Sequence, residues 1–282
     1  MRELVLNLPF GKLAALEWGE PDAPPLLALH GWLDNAASFS TIASLLSRDF
    51  RVIALDLPGH GQSAHLPNGV TRYHAIDYAD HVLNAADALQ LERFDLLGHS
   101  LGAGVASLVA AAAPARVRNL ALIEGLGPLA DDGSNTLQRW REAEAQRSVT
   151  RRALRVFGSI DEALAARVAV GDLRADEARA LVERGLRQVQ DGYVWSSDPC
   201  LRLPTPLRIE EMQLRRLLAG IEAPTLLLLA DPETPYLPRE KMTARAACVR
   251  DIRVEHIAGR HHLHLQHPRE VAERLLAFLR KQ

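Results

Sequence analysis

A serine flanked two residues away on each side by glycine, Gly98-His99-Ser100-Leu101-Gly102, lies between the apolar run Phe94-Asp95-Leu96-Leu97 and an alanine-rich stretch over 103–113. That pattern fits nucleophilic chemistry. A strand turning sharply into a helix admits only small neighbours and holds a hydroxyl clear of the sheet. The helix N-terminus adds partial positive charge where an anion would develop. Serine is a weak nucleophile until a base takes its proton, and the base needs an acidic partner to fix its tautomer and offset its charge. Three of the eleven histidines fall together in Ala258-Gly259-Arg260-His261-His262-Leu263-His264. Three carboxylates follow apolar runs: Glu124 directly after Leu122-Ile123, and Asp231 and Glu233 just beyond the run 226–229. A carboxylate at the mouth of an apolar strand is costly unless paired. For Glu124 the structural alternative is an ion pair with one of the arginines further along.

These residues need elements to carry them. Runs 4–8 and 13–18, joined by Pro9-Phe10-Gly11, read as an antiparallel pair. Strands follow at 26–29, 51–55, 94–97 and 120–123, alternating with helices at 42–46, 73–89 and after the serine. Strand character returns at 225–229 and 252–257, and a last helix is expected over 269–280. Such alternation argues an α/β class: a mostly parallel sheet with helices on both faces. Over 126–206 it lapses. That stretch shows no good strand and reads as helices at 134–147, 150–157, 159–170 and 175–190. The expected organisation is therefore one α/β core, 1–125 and 207–282, interrupted by a helical cap insertion, 126–206.

With the elements in order, the chain resembles the α/β-hydrolase fold superfamily, and within it the serine-hydrolase-like (esterase/lipase-type) subfamily. The resemblance rests on four motifs in sequence: His30-Gly31-Trp32, Asp56-Leu57-Pro58-Gly59-His60-Gly61-Gln62-Ser63, the turn around Ser100, and His261 to Pro268. It implies a nucleophile, an acid and a histidine in that order. Family spacing to Pro268 implies His261 as the base, with His262 and His264 as polar neighbours and His267 as a helix-start residue. The usual acid position lies after the strand 225–229, where this chain departs from the family pattern and leaves Glu233 and Asp231 in uncertain register. Some relatives take the acid from the end of the preceding strand, and there this chain has Glu124. The resemblance also implies an oxyanion hole from the backbone N–H groups of Leu101 and Trp32, with Gly31 allowing close approach. Asp34 and Asn35 read as caps of the helix ahead, Asp56 as a loop brace, and His99 as a packed neighbour. In the insertion, Trp140, Phe157, Tyr193 and Trp195 are candidates for pocket lining or for core. Arg139, Arg141, Arg147, Arg151, Arg152 and Arg155 form a basic face.

The implied activity is a serine hydrolase cleaving a carboxylic ester or related acyl bond through an acyl-enzyme. A C–C bond hydrolase or lactonase on the same groups, or a non-catalytic ligand-binding member, is the alternative. Serine at 100 argues against relatives with an aspartate nucleophile. No cofactor or metal is expected, since Cys200 and Cys248 have no metal-ligand spacing. The expected partner is a small-molecule acyl substrate. A net charge of −2 gives no reason to expect nucleic acid, and no apolar run reaches the ~20 residues of a membrane span. No secretory signal is visible, so the cytoplasm is the expected location. Nothing in the sequence sets the oligomeric state.

Overall fold

A computed structural model describes residues 1–67, 72–146 and 154–280. The chain opens with β1 (Arg2–Leu8), β2 (Gly11–Trp18), β3 (Pro25–Leu29), α1 (Ser40–Leu46), β4 (Arg51–Leu55), α2 (Ala75–Ala88), β5 (Phe94–His99), α3 (Leu101–Ala112) and β6 (Val117–Ile123). Then come β7 (Ala130–Asp131), α4 (Thr136–Gln146), α5 (Ile160–Val170), α6 (Ala175–Gly185), β8 (Leu186–Val189) and β9 (Gly192–Trp195). It closes with β10 (Ile209–Glu210), α7 (Glu211–Leu218), β11 (Thr225–Asp231), α8 (Arg239–Ala246), β12 (Ile252–Ala258), α9 (Leu263–Gln266) and α10 (Pro268–Leu279).

Eight strands form one sheet in the order β1-β2-β4-β3-β5-β6-β11-β12. Only β2 runs against its neighbours β1 and β4; every other pairing is parallel. The central strands are apolar throughout because both faces are covered. Side chains alternate across a strand, so each strand feeds two cores. Leu27, Leu29, Ile53, Leu55, Leu96, Leu122 and Leu227 pack on one face with α2, α3 and α7. Leu26, Ala28, Val52, Ala54, Leu97, Ile123 and Leu228 pack on the other with α1 and α10. The carboxyl ends of the parallel strands therefore meet along one edge, and the loops there bring distant residues together.

The segment 126–206 departs from the all-helical expectation. Helices form at α4, α5 and α6, but α6 ends at Gly185, and 186–195 is the antiparallel hairpin β8–β9. The turn Gln190-Asp191 leads into Gly192, whose φ of +140° suits glycine alone. The helix expected over 150–157 does not form at 154–157, where Phe157 bridges to Tyr193 instead; 150–153 lie outside the described residues. A short parallel pair, β7 with β10, joins the start of the segment to residues just after its end. Phe157, Ala163, Leu164, Leu173, Ala178, Leu181 and Val182 give it a small core of its own. Among the described residues no helix is long and apolar enough to cross a membrane.

Candidate active site

Ser100 stands between β5 and α3 with φ 51° and ψ −112°. Its N–H donates to the Ile123 carbonyl at 2.9 Å, and its own carbonyl accepts from Gly104 N–H at 3.0 Å. The flanking glycines are a steric requirement. A Cβ on Gly102 would sit 1.9 Å from the Leu29 carbonyl oxygen, and one on Gly98 would sit 2.5 Å from that of Gly102. Of the four non-glycine residues with positive φ among those described, Leu33, Ser100 and Glu124 follow the carboxyl ends of the neighbouring strands β3, β5 and β6. Backbone strain of this kind persists where the surroundings over-determine it, and it concentrates at functional sites.

Glu124 follows β6 and is buried. Its Oε1 accepts the Ala230 N–H at 2.6 Å, and its Oε2 accepts the Thr234 hydroxyl at 3.3 Å. The same Oε2 lies 3.1 Å from Nδ1 of His261, in the loop between β12 and α9. Glu124 thus meets His261 and the β11 loop, and no arginine of 126–206 is among its partners in the described residues. The other two candidate acids lie elsewhere. Glu233 is exposed and its carboxylate accepts the backbone N–H of Arg239 at the start of α8. Asp231, also exposed, pairs with the Arg239 guanidinium at 2.9 Å. The β11 loop reaches the site through the Thr234 hydroxyl, at the position that one register of that loop gives to the acid.

With Nδ1 on a carboxylate, the His261 imidazole has Nε2 left for proton transfer, and it lies beside the Ser100 turn. Its ring centroid is 4.8 Å from that of His99, and the His261 carbonyl accepts from His99 Nε2 at 3.0 Å. Tyr236, which is half-exposed and which the sequence reading passed over, presents its ring edge-on to His261 at 5.0 Å. Gly31 lies against His99, and Leu33 turns the chain with φ 62°. Trp32 is half-exposed, its indole N–H donating to the Leu201 carbonyl at 3.0 Å. Leu101 is the first residue of α3, where backbone N–H groups lack intrahelical partners.

Around this pair lies a polar network that sequence spacing does not reveal. Asn35 caps the short helix ahead as expected, accepting from Ala37 N–H at 3.1 Å. Asp34 does not cap. Its Oδ2 lies 3.2 Å from His262 Nε2 and its Oδ1 accepts from Arg167 of α5 at 3.2 Å. His262 Nδ1 in turn meets Asp172, just after α5, at 3.0 Å. Burial opposes the charge on His262, but the carboxylates of Asp34 and Asp172 outweigh it and hold its pKa up at about 9. Burial likewise opposes the charge on Asp34, yet His262, His99 and Arg167 keep its carboxyl well below the usual range. For His99 and His264 the nearby Asp34 carboxylate does not compensate, and burial first, then the neighbouring histidines, drives both pKa values down, that of His264 to about 3. His264 bonds Ser38 at 2.6 Å.

Asp56 braces its loop, accepting the N–H groups of Ala36 and Gln62, and it also pairs with Arg184 of α6 at 2.9 Å. Phe157 and Trp195 pack edge-on at 5.5 Å with Tyr193 alongside, as part of the small core in 126–206, whereas Trp140 is half-exposed. Of the basic face, Arg139 and Arg155 pair with Asp131 and Glu162, and Arg141 is exposed. Arg147, Arg151 and Arg152 lie outside the described residues.

The family model for the α/β hydrolase fold matches residues 24–185, a span that holds Gly31, Ser100 and Glu124. The chain belongs to the α/β hydrolase fold family. A serine hydrolase-like protein of Danio rerio is 31% identical, with 99% of this chain and 89% of the relative covered. A hypothetical protein of Pseudomonas aeruginosa PAO1 superposes with a TM-score of 0.92 at 38% identity over 100% of both chains. The thioesterase domain from the curacin biosynthetic pathway superposes with a TM-score of 0.85 at 26% identity, covering 98% of this chain and 99% of that one. In this α/β hydrolase Ser100 stands at positive φ between β5 and α3.

Proposed function

We propose that this α/β hydrolase cleaves a carboxylic ester or related acyl bond of a small molecule through an acyl-enzyme on Ser100. The observation that carries the reading is the 3.1 Å contact between His261 Nδ1 and Glu124 Oε2, beside a serine held at positive φ on an elbow. Glu124 fixes the tautomer of His261, so that Nε2 presents its lone pair to the serine proton. Ser100 Oγ attacks the acyl carbon as that proton moves to His261, and Glu124 stabilises the resulting imidazolium. The tetrahedral oxyanion is held by the N–H groups of Leu101 and Trp32, with Gly31 keeping the backbone close. Collapse breaks the bond to the leaving alcohol, which departs with the proton from His261. Water, deprotonated by the same nitrogen, then attacks the acyl-enzyme, and the acid is released as Ser100 regains its proton. Segment 126–206 acts as a cap that shapes the pocket and limits water.

A fluorophosphonate probe tests the nucleophile directly. We expect stoichiometric labelling on Ser100, located by peptide mass, and none in Ser100→Ala. A folded wild-type protein that stays unlabelled at Ser100 would overturn the reading. A panel of p-nitrophenyl esters, lactones and acyl thioesters then fixes the leaving group. The thioester arm is included because one of the structural relatives is a thioesterase domain.

A further inference from the structure

We propose that Asp34, His99 and His262 form a binding site for a borderline divalent cation of the Zn²⁺ type, separate from the Glu124–His261 pair. One ligand atom from each of the three residues lies within 4.8 Å of the others, and all three side chains are buried. Asp34 Oδ2 is 3.2 Å from His262 Nε2 and 3.9 Å from His99 Nδ1. Donors around a tetrahedral zinc, each about 2.1 Å from it, stand about 3.4 Å apart, so two of these spacings bracket the value. The third, at most 4.8 Å, needs a closure of up to about 1.4 Å.

A second observation marks a buried ligand atom that lacks a partner. His99 Nε2 faces the His261 carbonyl at 3.0 Å and must donate to it, so in the neutral ring Nδ1 carries the lone pair. That Nδ1 is wholly buried and has no hydrogen-bond partner among the described residues. It faces a carboxylate oxygen, another electron-pair donor, with no proton between them. Gly31 leaves the gap unfilled, for a Cβ there would come within 2.9 Å of His99 Nδ1 and 3.1 Å of Asp34 Oδ2.

The outer partners suit metal ligands as well. Ligating histidines commonly donate their far nitrogen to a carboxylate or a backbone carbonyl, which fixes the ring and raises its basicity. Here His262 has Asp172 at 3.0 Å behind it, His99 has the His261 carbonyl, and the far oxygen of Asp34 is held by Arg167 at 3.2 Å. Each of the three is thus turned from behind toward a common point. Two imidazoles and one carboxylate select zinc, cobalt, nickel or copper over calcium and magnesium. Binding exchanges the proton now shared by His262 and Asp34 for the ion.

Calorimetric titration of the EDTA-stripped, untagged full chain with ZnCl₂ is expected to give one ion per chain. His99→Gln and His262→Gln should each weaken it by about tenfold or more, and Asp172→Asn by a similar factor through the ring it orients. Glu124→Gln should leave it unchanged within about twofold, because Glu124 serves the other histidine. Anomalous scattering at the zinc edge from a soaked wild-type crystal reads the position without any variant. A peak among the three side chains supports the site. A peak at His261 and Glu124, or no stoichiometric binding, overturns it. None of these readouts depends on hydrolytic activity.

Discussion

At the scale of single residues, the proposal of Glu124 as the acid rests on what each carboxylate touches. Glu124 and Glu233 are the same side chain in opposite settings: one is buried on an imidazole, the other exposed at the first turn of α8. Replacing Glu124 by Gln keeps the volume but removes the charge that, in the proposed mechanism, stabilises the imidazolium and specifies its tautomer. Turnover of Glu124→Gln on a p-nitrophenyl ester is expected to fall about a hundred- to ten-thousand-fold, with KM changing far less. Glu233→Gln should stay within about twofold, because at most a helix-terminus interaction is lost. Equal losses in both variants would refute the assignment. Sequence placed Ser100, His261 and Glu124 on short lists because each follows a strand or a loop glycine at a readable distance. It leans to Glu124 over Glu233 from its place at the mouth of an apolar strand, but does not decide, since the choice depends on which strand end faces the histidine. Nor did it reveal the Asp34–His262 contact, whose partners are 228 residues apart.

At the scale of elements, the elbow works because β5, β3 and α3 approach too closely for side chains. Gly102 donates its N–H to the His30 carbonyl at 3.0 Å, and the space of a Cβ is already occupied by backbone of β3. Backbone cannot step aside as a flexible side chain can. Gly102→Ala should therefore cost about 3 kcal/mol or more of stability, and it should cut fluorophosphonate labelling of Ser100 by displacing the turn. Urea denaturation checks the first expectation, and a loss below about 1 kcal/mol would show that the contact relaxes cheaply. The core strands and their helices were legible in the sequence because doubly covered strands read as continuous apolar runs. The β8–β9 hairpin was not. Its first strand, Leu186-Arg187-Gln188-Val189, carries residues that also suit a helix, and it follows α6 without a break. The available signal was Asp191-Gly192 ahead of Tyr193-Val194-Trp195, a turn dipeptide before strand-forming residues.

At the scale of the whole molecule, the loops at the strand ends bury histidines that burial keeps neutral, and this sets how the fold responds to acid. His30 donates from Nδ1 to the Gly31 carbonyl at 2.7 Å and accepts the Leu57 N–H on Nε2 at 3.0 Å, so both nitrogens are committed in the neutral ring. Burial, the largest cause in each, brings its pKa down to about 4 and that of His60 to about 3. In the unfolded chain both titrate near the ordinary value of about 6.5. Between those limits the unfolded state binds more protons, so stability is complete above about pH 7 and is lost as pH falls through 6.5 toward 4. Each such histidine contributes up to about 1.4 kcal/mol per pH unit over that window. His99 and His264, held low in the same way, act with the same sign. His262, raised to about 9, acts with the opposite sign between pH 7 and 6, gaining stability as pH falls and offsetting a small part of the loss, and adds little slope below that. Carboxyl groups ordinarily titrate near pH 4, so a loss between pH 7 and 5 belongs chiefly to the histidines. Urea unfolding at those two pH values should show stability falling by at least about 2 kcal/mol. A change under about 1 kcal/mol would mean that these rings accept protons in the folded state, and that the loops carrying Trp32 and Gly59 open to water.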